Sequence, residues 1–120
     1  MPGTIQITIT GSNTTTGELT LQNDAHTNNG NTNAKRGDLI LWRINPGSGV
    51  SSLTAIQMKP PPPTSTNIFV AGDPHQPGGG NWQGTIDPNV AINSEYNYQI
   101  GWTDNNNNSY VFDPMIKINP

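Results

Sequence analysis

The sequence predicts an all-β protein, an antiparallel Greek-key β-sandwich of seven or eight strands. Apolar and polar residues alternate with a period of two in several segments, as in TIQITIT at residues 4–10. This period marks a strand with one buried face. Residues that favour turns, chiefly Asn, Asp, Gly and Pro, separate these segments. No segment has the 3.6-residue apolar period of an amphipathic helix.

The strands are expected where apolar residues alternate or run together: residues 4–10, 18–22, 37–44, 50–58, 67–70, 82–86 and the two arms of a C-terminal hairpin over 95–118. The run GDLILWRI at 37–44 predicts a central strand with Trp42 in the core. Residues 23–36 contain almost no apolar side chain and predict a long exposed loop. The run Pro60–Pro63 predicts a stiff crossover between the sheets.

The C-terminal hairpin is expected to organise the fold. Its first arm alternates polar residues with four large apolar ones, Tyr96, Tyr98, Ile100 and Trp102. A hairpin with that much apolar surface needs other strands to cover it. In the second arm, Asp113-Pro114 should interrupt the ladder because Pro has no N–H to donate. The last strand is therefore either bulged there or passes from one sheet to the other.

Length and composition limit the functions that the chain can have. Its 120 residues fit a single domain over 1–120. Charged residues make up 11% of the chain, less than half the usual share of about 25%. A nearly uncharged surface repels copies of itself only weakly. The net charge of −3, with five Lys and Arg in all, argues against nucleic acid as a partner, which requires a basic patch.

Localisation is left open by the sequence. It has no apolar run long enough to span a membrane and no signal peptide after Met1, so no membrane insertion is expected. The composition is compatible with an extracellular or surface protein if the sequence is a mature form. Cys is absent, which excludes disulfides and thiolate metal sites.

Two strand motifs resemble those of the cupredoxin family. GDLILW at residues 37–42 looks like the family's GDxVxW strand, and YNYQI at 96–100 looks like its YxYxC strand. Ile100 stands where the family has its Cys ligand, and Thr103 stands where a His would follow. A blue-copper centre requires a thiolate and imidazoles. The resemblance therefore implies a cupredoxin-like sandwich without the metal, and an immunoglobulin-like sandwich fits the same strands.

A second resemblance concerns His75. PHQPGGGNW at residues 74–82 is similar to the copper-binding octarepeat of prion proteins, in which a His ring and the backbone amides after it hold the metal. Pro77 removes one of those N–H groups. Copper is therefore not expected at His75.

The Asn-rich turn of the hairpin contains candidate calcium ligands. Asp104, Asn106 and Asn108 supply oxygen atoms at alternate positions, and Asp113 could add a carboxylate. Calcium needs six to eight oxygens, including a bidentate carboxylate in most sites. Because no Glu stands at the twelfth position, a simple turn is favoured and no cofactor is expected.

Trp82 and Trp102 are the candidate ligand-binding residues, together with His75 and Asn81 in the loop before Trp82. Aromatic faces beside amide side chains suit sugar rings, which stack and hydrogen-bond at once. Trp102 lies at the mouth of the hairpin turn, so the two indoles could meet at one end of a sandwich. Core packing is the competing interpretation, since Trp is highly buried on average.

The sequence predicts no enzyme, because it contains no GxSxG, HExxH or phosphate-binding loop. We predict a structural or interaction module that associates with copies of itself into an oligomer or ordered assembly. Exposed edge strands such as residues 4–10 would pair with neighbouring chains. The alternative is a carbohydrate-binding module that uses the Trp residues and the Asn-rich loops, with calcium as a further ligand.

Overall fold

The computed structural model describes residues 3–23, 31–60, 65–77 and 81–120, and within these ranges the chain forms nine strands and no helix. The strands are β1 (Thr4–Ser12), β2 (Leu19–Asn23), β3 (Asn31–Ala34), β4 (Leu39–Ile44), β5 (Val50–Met58), β6 (Trp82–Thr85), β7 (Glu95–Asp104), β8 (Ser109–Phe112) and β9 (Met115–Ile118). In this part of the chain there is accordingly no helix that could cross a membrane.

The strands form two sheets that pack face to face. Sheet 1 has the order β2-β1-β4-β6, and sheet 2 has the order β3-β9-β7-β5, with β8 also paired to β7. The predicted all-β class is confirmed. Each sheet contains one parallel pair, β1 with β4 and β3 with β9, so the sheets are mixed rather than wholly antiparallel. The Greek-key order of the strands stays a prediction.

The parallel pair in sheet 1 follows from the path of the chain. After the β1–β2 hairpin the chain enters sheet 2 as β3, and then returns to sheet 1 as β4 on the far side of β1. Parallel neighbours need such a crossover because a tight turn reverses the direction of the chain. The prediction of a single long loop over residues 23–36 was therefore wrong at β3. Its buried residues are Thr32 and Ala34, which are too small or too polar to give an apolar period.

The predicted edge strand at 67–70 is reduced to one bridge between Phe69 and Ile86. Residues 65–70 instead cross between the sheets, because Thr66 N donates to Glu95 O of sheet 2, whereas Val70 N donates to Thr85 O of sheet 1. The crossover predicted for the proline run falls largely on residues 61–64, which lie outside the described residues.

The predicted break at Asp113-Pro114 is confirmed. It separates β8 from β9, and both strands pair with the same edge of β7. The Tyr98 N–H donates to the Pro114 carbonyl at 3.2 Å, which keeps the two ladders in line. The last strand is thus interrupted within sheet 2 and does not pass to sheet 1.

The core lies between the sheets and is rich in aromatic side chains. Trp42 of β4 is fully buried, as predicted, and its Nε1–H donates to the Tyr98 hydroxyl at 3.2 Å. Tyr96 stacks on Tyr98 with 5.1 Å between ring centroids, and Phe69 meets Tyr96 edge-on at 5.1 Å. Such ring pairs add about 0.5–1.5 kcal/mol each beyond area burial. The first arm of the hairpin therefore faces inward, as its alternation predicts.

Burial of the tyrosines predicts a loss of stability in alkali. Desolvation raises the pKa of Tyr96 to about 12 from an ordinary value of 10.0, and it raises the pKa of Tyr98 further. Both hydroxyls are neutral below pH 10 whether or not the chain is folded. Between pH 10 and 12 only the unfolded chain ionises, so the free energy of unfolding should fall as pH rises. Tyr96 alone would contribute roughly 3 kcal/mol at most to this fall.

Denaturant unfolding as a function of pH, together with the ultraviolet absorbance of tyrosinate, measures this effect. The substitution Tyr96→Phe should make the alkaline slope shallower. Tyrosinate absorbance that develops fully near pH 10 while the protein is still folded would contradict the burial of these residues.

Candidate functional site

Trp102 lies in the core and not on a binding surface. Its side chain is fully buried, its ring stacks on Tyr110 with 4.5 Å between centroids, and its Nε1–H donates to the Gly17 carbonyl at 2.9 Å. Neither face of this indole is open to a ligand, which favours the competing interpretation of core packing. Through its hydrogen bond to Gly17, Trp102 instead connects the turn after β1 to the end of β7.

Asp104 closes the hairpin turn with its side chain. The carboxylate is buried and accepts hydrogen bonds from the backbone N–H groups of Asn106 and Asn108, from Asn108 Nδ2 and from the Tyr110 hydroxyl, at 2.8–3.3 Å. These bonds, led by the one from the Asn108 backbone, hold the pKa of Asp104 below its ordinary value. The turn therefore surrounds the carboxylate with donors, the opposite of the oxygen ligands that surround a cation.

The other calcium candidates do not complete a set of oxygen ligands around Asp104, since Asn108 contacts it through N–H groups. Asn106 and Asn108 are exposed, and their backbone N–H groups point to Asp104. Asp113 lies beyond the far end of β8 and pairs with Lys59 at 3.0 Å. Within the described ranges, no group of three or more His, Asp or Glu residues could hold a metal ion. The hydrogen bonds of Asp104 favour the structural role of a turn cap.

Trp82 links the edges of the two sheets. It stands at the start of β6 in sheet 1, and its Nε1–H donates to the Leu53 carbonyl of β5 in sheet 2 at 3.1 Å. The side chain is half-buried against the core. Leu53 pairs with Trp102 across the β5–β7 ladder, so the two indoles lie on either side of this strand. They do not form a common exposed platform, although Asn81 beside Trp82 is exposed.

His75 belongs to a short extension of sheet 1. Its backbone exchanges two hydrogen bonds of 2.8 Å with Gln83 of β6. Its Nδ1 lies 2.7 Å from Asp73 Oδ1, and the other Asp73 oxygen accepts the Thr85 N–H at 2.8 Å. Among the described residues, Asp73 is the one side-chain partner of the imidazole. This pair lacks the nucleophile that a catalytic triad requires, and it secures the segment that covers the β6 edge.

The open edges of the sheets are a feature that the sequence patterns did not locate. Residues 4–10, predicted as an exposed edge, form β1 between β2 and β4, so that prediction was wrong. In the described part of the chain, β2, β3, β5 and β8 are paired on one side only, whereas the outer side of β6, the other terminal strand, is covered by isolated bridges to Phe69 and His75. None of these four strands contains Asp, Glu, Lys, Arg or Pro. The positions of the open edges could not be predicted from local alternation, because alternation does not specify the order of the strands in a sheet.

A groove of about 370 Å³ crosses the outer face of sheet 2. Its floor is Gly101 of β7, and its sides carry Thr54 and Gln57 of β5, Gln99 of β7, and Ser109 and Val111 of β8. None of the residues that line it is charged. A Cβ atom at position 101 would lie 2.7 Å from Thr54 Oγ1, so the glycine makes room for the Thr54 side chain. The sequence signal, polar residues at the odd positions of β7, identified an outer face without indicating a groove.

Comparison of the sequence with models of known protein families and with curated proteins finds no match.

The cap formed by Asp104 predicts a loss of stability in acid. Because the folded-state pKa is lowered, the stabilisation is complete above the unfolded-state pKa and disappears as pH falls through the folded-state value. Asp104→Asn should lower the melting temperature at neutral pH and reduce its further fall on acidification. The matched control is Asp113→Asn, which removes one exposed ion pair worth about 0–1 kcal/mol. Equal melting curves for the two variants across pH would contradict the role of Asp104.

Proposed function

We propose that this protein is a non-enzymatic β-sandwich module that associates with copies of itself through open strand edges. The observation that carries the proposal is the absence of charge and of Pro from β2, β3, β5 and β8, the four described strands with an unpaired edge. Soluble β proteins protect such edges with charged side chains or Pro, since unpaired N–H and C=O groups otherwise bind another strand. An edge without charge or Pro is suited to pairing where it is also long and free of bulges.

β5 offers the longest of these edges. The Lys59 N–H donates to the Asn97 carbonyl, and backbone groups alternate between the two sides of an antiparallel strand. The N–H and C=O groups of Ile56 and Met58 consequently face away from β7. Bulges interrupt the ladder between Val50 and Ser52 and between Leu53 and Ala55. The regular part of the edge is therefore the C-terminal half of β5.

The surroundings of this edge favour a neutral partner such as a second copy. Met58 has an exposed fraction of 44%, so an apolar side chain accompanies the outward backbone groups. The charge of Lys59, the next residue, is balanced by Asp113 at 3.0 Å. A low overall charge of −3 leaves little long-range repulsion between copies. Strand addition at this edge would bring together backbone hydrogen bonds and apolar contact.

We also propose a cupredoxin-like arrangement without the metal. It is supported by the positions of the two motifs that carry the resemblance. Residues 39–42 lie in β4 between β1 and β6, and residues 96–100 lie in β7 between β5 and the strands β8 and β9. Both motifs are thus central strands of opposite sheets.

The substitution Met58→Lys tests the assignment to β5. A Lys at this position places an unbalanced charge on the edge, and we expect the dissociation constant for self-association to rise about tenfold or more, which corresponds to about 1.4 kcal/mol. Ile92→Lys is the matched control, because Ile92 is equally exposed at 43% and lies in no strand. Sedimentation or light scattering over a concentration series measures both variants.

Three outcomes would count against this proposal. A strict monomer at every concentration would exclude self-association. Assembly that is unchanged by Met58→Lys would show that β5 is not the edge in use. Equal weakening by Met58→Lys and Ile92→Lys would indicate a general effect of charge and would remove the argument from strand edges.

A further inference from the structure

We infer that the groove on the outer face of sheet 2 is a binding site for a neutral saccharide. This site lies on the outer face of sheet 2 and uses side chains of β5 and β8, whereas the self-association we propose uses the backbone groups at the strand edges. It does not involve Trp82 or Trp102. It is defined by the floor at Gly101 and by the side chains of Thr54, Gln57, Gln99, Ser109 and Val111.

The polar groups of the groove determine the chemistry of the ligand. Gln57 and Gln99 each carry amide donors and an acceptor, and Thr54 and Ser109 carry hydroxyls that can donate or accept. Gln57 Nε2 lies 3.5 Å from Gln99 Oε1, at the outer limit of a hydrogen bond, so these amides can turn to a ligand at little cost. Sugar hydroxyls also donate and accept at the same atom. A lining without charge gives no ion pair to an acidic or basic ligand.

The remaining walls suit the apolar side of a sugar ring. Val111 has an exposed fraction of 56%, the highest among the large apolar residues found exposed in the described ranges. It lies directly across from Gly101 in the β7–β8 ladder, so an apolar side chain stands beside the glycine. Ligand sites combine such apolar area with a few polar groups that fix orientation. The volume of about 370 Å³ is within the usual range of about 300–1,000 Å³.

An added peptide strand is a poorer match for this groove. Gly101 pairs with Ala55 on one side and with Val111 on the other, so the backbone beneath the groove already belongs to two ladders. A peptide that binds by strand addition requires unpaired backbone groups at an edge. The groups that can hydrogen-bond to a ligand on this face are side-chain amides and hydroxyls. These groups favour a ligand whose own polar groups are hydroxyls.

The test is an NMR titration of the isotope-labelled protein with neutral cello-, xylo-, malto- and chito-oligosaccharides. Oligogalacturonate and heparin fragments serve as charged comparators. We expect at least one neutral series to shift the side-chain amides of Gln57 and Gln99 and the Gly101 N–H, with a dissociation constant of about 1 mM or below. The double substitution Gln57→Ala and Gln99→Ala should weaken this binding tenfold or more.

Gln22→Ala is the matched control, because Gln22 is an exposed glutamine on β2 of the other sheet. It should leave saccharide binding unchanged, as should Met58→Lys, since Met58 does not line the groove. Because Met58→Lys and the double substitution change different side chains, saccharide binding and self-association can be tested separately. The inference is wrong if no neutral series shifts the groove resonances at millimolar concentration, if only the charged fragments bind, or if the double substitution has no effect.

Discussion

The structure depends on the pairing of β7, which is hydrogen-bonded on both sides along its whole length. One side meets β9 and then β8, and the other meets Thr66, Lys59 and then β5. Because a strand held in this way cannot slip, its alternation is fixed with one set of side chains in the core. That set is Tyr96, Tyr98, Ile100, Trp102 and Asp104. The outer set includes Gly101 and Gln99, which form part of the groove.

Local patterns in the sequence predicted the elements that depend on local physics. The alternation in β1 and β7, the apolar run of β4 and the break at Asp113-Pro114 were all recognisable, because each reflects a side-chain period or a missing N–H. β3 was missed because its buried residues are Thr32 and Ala34. The parallel pairs could not be predicted either, since strand order is set by contacts between segments far apart in the chain.

The candidate site residues show a related limit of sequence reasoning. Trp82, Trp102 and Asp104 have the chemistry of ligand-binding groups, and each uses it within the molecule. The two indoles donate to backbone carbonyls, and the carboxylate accepts from a turn. A buried polar group must find a partner or incur a cost of about 1–3 kcal/mol. Composition shows that such groups are present, whereas only the fold shows whether the partner is internal.

The hydrogen bond from Trp82 to Leu53 has a consequence for the geometry of any assembly. An incoming strand that runs along β5 meets the indole at Leu53 and can align freely only from Ala55 to Met58. Four residues of strand extend roughly 13 Å. Trp82 therefore limits the pairing of an added strand on β5 to about four residues. Contacts of that length separate readily, so the self-association that we propose would be reversible.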